Sequence, residues 1–415
     1  MNKFGFKNHL FGAPWFLTLF FTTFSAENIQ PYGQIIEQEG VRKVFIILVF
    51  TTALILLFVN FHKILSILKG RWVYIFFLAY ISASAAWSDD PKSALRISAY
   101  FWGMTAVCLM AVVAYEQHPL KFFQTLVFYS VLMIGGSLAT ILLFPGTSIG
   151  EDGRWLGLTT HANGLGLVSV ISIWANICYA TMSKSKISML LNVSMILLSA
   201  VCIYGADSAT SFVISAAILT MTLILRTFSS TRLTRLFAQI TGIGFFVLLV
   251  ASLLYLIQPE LFNIEGLLKS IGRDTSFTGR NVIWNRALTE IYRHPIFGAG
   301  FQEFINMKNG SEIKHFHNGY LELLIRGGII ALLFVIAFIY QLVFSVKRLA
   351  NPELYVYLMV MILAILAHNI TESSFGRGVT AFWLVFSVIY FFRSNASKAQ
   401  TNGNEASALS DSPVR

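Results

Sequence analysis

Arginine, histidine, asparagine, tryptophan and glycine are concentrated in one polar segment of this 415-residue chain, residues 258–328, between long apolar runs. Within it, TGRNVIWNRALTEIYRHPIFGAGF places Gly279 and Arg280 at the predicted start of a helix. The unpaired N–H groups at a helix start favour an anion. An arginine fork at that position suits a phosphate oxygen. Arg280 is therefore a candidate ligand for a phosphate group.

The polar segment ends in HFHNGYLELLIRGG, which predicts the start of another helix. Asn318 is a candidate N-cap for that helix. Glu322 and Arg326 are four residues apart with the acid first, a favourable helix pair. Gly327 and Gly328 are expected to loosen the helix near its first turns.

His317 stands just before that first turn, and two interpretations of it are open. A lone histidine is commonly a structural residue whose hydrogen bonds are satisfied by its neighbours. Alternatively, His317, His315 and His161 could be metal ligands. No carboxylate or cysteine with ligand spacing accompanies the three histidines, so the sequence predicts no metal site.

Residues 279–293 have the apolar periodicity of an amphipathic surface helix, which Pro295 ends. We interpret it as a helix at the membrane interface. Trp284 would be its anchor, and Arg286 and Arg293 would extend their charged ends towards water.

The composition indicates an all-α polytopic membrane protein. The chain is 56% hydrophobic and 12% charged, with a mean hydropathy of +0.68, whereas soluble domains have about 25% charged residues. We predict about twelve transmembrane helices with one large outer loop. Their apolar runs lie near residues 9–26, 43–61, 72–87, 97–115, 122–144, 163–182, 187–204, 210–226, 236–257, 328–346, 354–371 and 379–392.

Four regions follow: a bundle of about nine helices in residues 1–257, the outer loop 258–327, further helices in 328–393, and a disordered tail, 394–415. The distribution of lysine and arginine in the short connections places both termini in the cytoplasm. We interpret the net charge of +10 as that of basic residues which orient the helices and contact anionic lipid headgroups, and not as a sign of nucleic-acid binding. Three cysteines in apolar runs are interpreted as packing residues: Cys108, Cys178 and Cys202.

Two more outer connections carry polar residues, GEDGRWLGLTTHANGLG in 150–166 and HNITESSFGRG in 368–378, whereas the inner connections are short and basic. Because polar residues near a membrane are costly, this asymmetry places a functional site on the outer face.

Three motifs, residues 153–166, 279–301 and 315–328, resemble the O-antigen ligase and Wzy-type polysaccharide polymerase superfamily. The first and third are similar to ExoQ-type exopolysaccharide polymerases, although Ala162 stands where a lysine is common. The resemblance implies a metal-independent glycosyltransferase of the GT-C type without a cofactor. It would use an undecaprenyl-diphosphate-linked glycan at the periplasmic face of the bacterial inner membrane, and 258–327 would be its catalytic loop.

The resemblance also implies roles for particular residues. His317 would activate the acceptor hydroxyl, and Arg280, with Arg154, would hold the diphosphate. The predicted substrate-binding residues are Arg154, His161, Asn163, His315, Asn318, Glu322 and Arg326.

The acceptor distinguishes the members of this superfamily. A polymerase uses a second lipid-linked glycan, and a ligase uses the lipid A core; the motifs favour a polymerase. Other polysaccharide-assembly proteins are potential partners. A transporter would also suit twelve helices, but the sequence has almost none of the inverted repeats and mid-helix charges expected of one. A non-catalytic assembly scaffold is the third class.

Overall fold

The computed structural model describes residues 5–25, 38–183, 185–227, 280–303, 305–306, 312–313, 315–346, 352–377 and 380–392. Within these ranges the chain is almost entirely helical. The helices are α1 (Phe6–Thr23), α2 (Gln38–Val59), α3 (Phe61–Leu68), α4 (Trp72–Ala83), α5 (Pro91–Tyr115), α6 (Pro119–Ser130), α7 (Gly136–Leu143), α8 (Pro145–Ser148), α9 (Ala162–Met182), α10 (Lys186–Gly205), α11 (Ala209–Thr227), α12 (Arg280–Arg293), α13 (Gly319–Val346), α14 (Pro352–Thr371) and α15 (Ala381–Phe391).

Helices occupy the predicted apolar runs that fall within the described ranges, which confirms an all-α polytopic membrane protein. The predicted run 236–257, most of the predicted loop and the predicted tail lie outside them. Among the described residues, five segments are long and apolar enough to cross a membrane: Pro91–Tyr115, Pro119–Leu143, Ala162–Met182, Ile187–Gly205 and Gly319–Leu342. A sixth would combine Val44–Val59 and Phe61–Leu68, which meet at a bend of 94°.

The helix α5 forms the centre of the bundle. Asp90 caps it by accepting a hydrogen bond from the Ser93 N–H at 3.0 Å, and Pro91 occupies its first turn, where a missing N–H costs nothing. Every residue from 103 to 115 is buried. A helix that is apolar all round must be enclosed by others, and α1, α2, α4 and α15 pack around this one.

A break in α13 lets the preceding loop approach its backbone. Gly328 has φ 59° and ψ −163°, and a Cβ there would lie 2.1 Å from the Ile296 carbonyl oxygen. The break leaves backbone groups of α13 without a partner in the helix, and these groups form hydrogen bonds with the loop. The Ile329 N–H donates to the Pro295 carbonyl, and the Ile325 carbonyl accepts from the Ala299 N–H. Buried backbone groups must be paired, so this exchange fixes residues 295–300 against α13.

A small second core joins α12 to the start of α13. It contains the side chains of Trp284, Ala287, Ala299, Ile305, Phe316, Leu321 and Ile325. The predicted helix over 279–293 is confirmed, but the interpretation of Trp284 as a membrane anchor is wrong, because its side chain is buried against protein. Arg293 pairs with the buried Glu290 at 2.9 Å, whereas Arg286 is exposed.

The sequence did not predict one feature of this region, a pair of two-residue antiparallel strands, β1 (Ile305–Asn306) and β2 (Glu312–Ile313). The helix predicted to start in this segment begins at Gly319, so the last part of the region 258–327 belongs to α13 and not to a loop.

Candidate functional site

A cavity of about 800 Å³ lies where α5, α9 and α13 begin and α14 ends. Among the described residues, its charged lining consists of four arginines and two glutamates: Arg96, Arg154, Arg326, Arg377, Glu303 and Glu372. Histidines 161, 315, 317 and 368 also line it, and side chains such as Ile46, Ile97 and Leu167 give it an apolar wall. A cavity with an excess of cations beside apolar surface suits an anionic substrate that carries a lipid.

The structure brings most of the predicted site residues together. The cavity is lined by Arg154, His161, Asn163, His315, His317 and Arg326. Asn318 and Glu322 lie behind it, 1% and 0% exposed. Arg280 is the first residue of α12. Its side chain lies outside the described part of the structure, so its role stays a prediction.

The short loop that carries His317 is held at the preceding residue. The Phe316 carbonyl accepts a hydrogen bond from Trp284 Nε1, and the Phe316 N–H donates to Glu322 Oε1, both at 2.9 Å. His317 itself has φ +52°, in the left-handed region. A non-glycine residue there costs about 1–3 kcal/mol and is commonly found at functional sites. The flanking contacts therefore hold the His317 backbone in a conformation that is unfavourable for a residue other than glycine.

The buried side chains of Asn318 and Glu322 form hydrogen bonds that hold the loop from behind. Asn318 Oδ1 accepts from the N–H groups of Tyr320 and Leu321 at 3.0 and 3.1 Å, which confirms it as the N-cap of α13. Glu322 Oε2 accepts from Arg326 Nε at 2.8 Å, with both side chains almost completely buried. A buried ion pair needs good geometry and additional hydrogen bonds, and the bond from Phe316 supplies one of them.

A chain of polar contacts connects α9 to His317. Arg154 Nη2 donates to Asn163 Oδ1 at 2.8 Å, and Asn163 Nδ2 donates to Glu372 Oε1 at 2.7 Å. The other oxygen, Glu372 Oε2, lies 3.5 Å from His317 Nδ1. Arg154 Nε is also engaged, with the Ala206 carbonyl at 2.9 Å. This arrangement turns much of the Arg154 guanidinium towards protein oxygens.

The connection between α14 and α15 is positioned by Asn369, whose Oδ1 accepts from the N–H groups of Ser374 and Phe375 at 2.9 and 2.8 Å. The Gly319 N–H donates to the Glu372 carbonyl at 3.2 Å. A Cβ on Gly319 would lie 1.9 Å from Asn369 Oδ1, so glycine is needed for this approach. The connection thereby presents Glu372 and Arg377 to the cavity.

Arg377 differs from the other arginines of the cavity. The described residues offer it no hydrogen bond and no ion pair. Burial lowers the pKa of its guanidinium from the usual value; among nearby charges, Glu322 opposes that shift and Arg326 adds to it. An anion that enters the cavity would interact more strongly with this partly desolvated guanidinium than with a guanidinium in water.

Two histidines of the cavity are neutral at neutral pH. Burial lowers the pKa of His161, whose Nδ1 accepts from the Gly164 N–H at 2.8 Å and therefore must be unprotonated. Burial, with the charge of nearby Arg377, lowers the pKa of His315 to about 4. Among the residues that the structure describes, no three His, Cys, Asp or Glu side chains are grouped so that they could hold a metal ion.

Sequence reasoning missed Glu372 and Arg377. Both lie in the 368–378 connection, which the sequence singled out for its polar residues. That signal identified the segment but not the side chains, because neither residue has a local partner with recognisable spacing.

Comparison with known proteins gives two matches. The family model described as O-antigen ligase matches residues 194–336, a range that includes Arg280 and His317. The chain is also 23% identical over 322 residues to the exopolysaccharide production protein ExoQ of Rhizobium meliloti (strain 1021), an alignment that covers 72% of this chain and 70% of that protein. The predicted resemblance to this superfamily is confirmed. The O-antigen ligase match ends before Glu372 and Arg377; the structure places Glu372 in contact with His317 and Arg377 in the lining of the same cavity.

Proposed function

We propose that the chain is a metal-independent glycosyltransferase of the GT-C type that polymerises a surface polysaccharide from an undecaprenyl-diphosphate-linked glycan. The observation that carries this proposal is one cavity that contains His317, next to a carboxylate, and Arg377, a cation without a protein partner among the described residues. Base and cation are the two groups that the transfer of a sugar from a diphosphate requires when no metal takes part.

In the proposed reaction, the acceptor hydroxyl attacks the anomeric carbon of the donor sugar. A new C–O glycosidic bond forms as the bond between that carbon and the diphosphate oxygen breaks. His317 takes the hydroxyl proton and later releases it to water. The undecaprenyl diphosphate leaves with the bonding electron pair, so the products are a longer glycan and the lipid diphosphate.

Arg377 is assigned to the leaving diphosphate, together with the predicted ligand Arg280. A guanidinium that faces the developing negative charge stabilises the transition state most when it needs no reorganisation. Arg154 is better suited to supporting the site, since it donates to Asn163 and to the Ala206 carbonyl. Asn318 and Glu322 support the loop from behind.

The proposed setting is the bacterial inner membrane. The chain would cross it about twelve times, with both termini in the cytoplasm and the cavity at the periplasmic face. At that depth the diphosphate of the donor meets the arginines, and the apolar wall formed by residues such as Ile46 and Ile97 meets the polyprenyl chain. Other polysaccharide-assembly proteins would be partners in this setting.

Two acceptors remain as candidates, and each has a supporting observation. The similarity to ExoQ, which extends over most of this chain, favours a second lipid-linked glycan and hence a polymerase. The family description, O-antigen ligase, favours transfer to the lipid A core. The products of a deletion strain separate them: loss of a polymerase leaves single repeat units, and loss of a ligase leaves long chains unattached to the core.

The decisive experiment is complementation of a deletion strain with His317→Ala, Arg377→Ala or Arg280→Ala. We expect each variant to abolish long-chain polysaccharide, at expression equal to that of the wild type. Arg286→Ala is the matched control, because Arg286 is an exposed arginine of α12, and we expect it to restore normal chain length.

Normal polysaccharide from the His317 and Arg377 variants would overturn the assignment and favour the scaffold. Transport of lipid-linked glycan by the purified protein in liposomes, without elongation, would favour the transporter.

A further inference from the structure

We propose that Glu372 is a positioning residue that orients His317 and balances the positive charge which His317 acquires during transfer. This inference rests on the proposed function and extends it to a residue that neither the sequence motifs nor the O-antigen ligase match identifies.

The geometry directs one oxygen of Glu372 at the histidine. Glu372 Oε2 lies 3.5 Å from His317 Nδ1, and the two side chains are 15% and 30% exposed. This distance is at the long end for a hydrogen bond, as is common in catalytic pairs without substrate. A proton on Nδ1 would face the carboxylate, which leaves Nε2 as the nitrogen able to accept the proton of the acceptor hydroxyl.

The other oxygen of Glu372 is held from α9. Asn163 Nδ2 donates to Glu372 Oε1 at 2.7 Å, while Asn163 Oδ1 accepts from Arg154 Nη2 at 2.8 Å. A carboxylate can only accept and a guanidinium can only donate, so these two partners fix the orientation of the Asn163 amide. Asn163 thus anchors the carboxylate without neutralising its charge.

The backbone of Glu372 is also fixed. Its N–H donates to the His368 carbonyl at 2.9 Å, at the end of α14, and its carbonyl accepts from the Gly319 N–H at 3.2 Å, at the start of α13. His317 stands two residues before Gly319. The same backbone contact therefore sets the separation between carboxylate and imidazole.

The charges around His317 explain why a carboxylate is useful there. Among the described residues, the titratable groups that share this part of the cavity with His317 include His315 on the same loop, His161 at the start of α9, and Arg377 and Glu372 in the connection after α14. His161 and His315 are neutral, and Arg377 is a cation. Glu372 therefore supplies a negative charge for an imidazolium that forms in the same cavity as Arg377.

The test compares three variants of the full-length protein, purified in detergent and supplied with lipid-linked repeat units extracted from the deletion strain. Glu372→Gln keeps the size of the side chain but removes its charge and replaces one acceptor oxygen with an NH2 donor. We expect kcat to fall by roughly 10²-fold while KM for the donor changes by less than about threefold. Glu372→Asp, which retains the charge, should recover part of the lost kcat.

Glu290→Gln is the matched control, because Glu290 is a buried acid of α12 whose Oε1 lies 3.6 Å from Nε2 of a histidine, His294, and it does not belong to the described cavity lining; we expect its kcat to stay within about threefold of the wild type. A purely structural role for Glu372 predicts near-wild-type kcat for Glu372→Gln, and that result would overturn the inference. His317→Ala in the same assay separates the two proposals. If it abolishes transfer while Glu372→Gln does not, only the role of Glu372 fails; if it retains activity, the proposed function fails.

Discussion

His161 and His315 contribute to how the stability of this protein responds to acid. Burial lowers the pKa of both in the folded protein, to about 4 for His315, from the usual 6.5. The unfolded chain therefore binds more protons between about pH 4 and pH 6.5. The free energy of unfolding therefore rises with pH across that window, and above it these two histidines no longer lower the stability.

We therefore expect the unfolding temperature of the purified protein to fall as the pH is lowered from 7.5 to 5. His315→Gln removes one titrating group and should make that fall shallower. His62→Gln, at an exposed histidine of α3, is the control and should leave the slope as in the wild type. Equal slopes for the His315 variant and the wild type would contradict the prediction.

Helix capping and i,i+4 spacing predicted contacts between residues that are close in sequence. The cap at Asn318 and the pair between Glu322 and Arg326 follow from helix spacing, and both are present. The contact between His317 and Glu372 joins residues 55 positions apart. It depends on the packing of α13 against α14, which no spacing within the sequence encodes.

Among the elements, α12 supports the His317 loop through the hydrogen bond from Trp284 Nε1 to the Phe316 carbonyl. Trp284→Phe retains an aromatic ring but removes the donor, and the buried carbonyl loses this bond. A bond of this kind contributes about 1 kcal/mol, a factor of about five in an equilibrium. We expect the rate of glycan transfer to fall by about that factor.

Trp102→Phe is the matched control for that change. Trp102 Nε1 also donates one hydrogen bond, to Ser82 Oγ at 3.1 Å, but it lies on α5 and does not contact the loop. Both variants lose one bond, so a difference in rate isolates the effect of the loop. Equal rates for the two variants would show that Trp284 has no special influence on His317.

The periodicity of apolar residues predicted where helices form better than it predicted what those helices pack against. It identified the apolar stripe of α12, and that stripe is buried. It could not distinguish a stripe that faces lipid from one that faces protein, because both require the same side chains. That ambiguity is why Trp284 was misassigned. The two-residue strands were missed because such short pairs have no periodic signal.

At the scale of the whole molecule, hydropathy predicted a membrane bundle, and helix direction explains how distant residues meet. The starts of α5, α9 and α13 and the end of α14 lie at the cavity, which gathers residues from four parts of the chain at one end. At the far end of α5, Lys63 Nζ donates to the Val113 carbonyl. The cavity and this lysine thus lie at opposite ends of the bundle. Their placement agrees with the predicted orientation, in which basic connections face the cytoplasm.

The orientation itself can be measured by labelling single cysteines. Glu151 lies in an exposed turn before α9, near the cavity, and Gln117 lies in an exposed turn between α5 and α6 at the opposite end. We expect a membrane-impermeant maleimide to label Glu151→Cys in intact spheroplasts and Gln117→Cys only after the membrane is opened. The three natural cysteines are buried, so their background should be low. The reverse pattern would place the cavity on the cytoplasmic side, where the glycan of a donor presented at the periplasmic face could not reach His317.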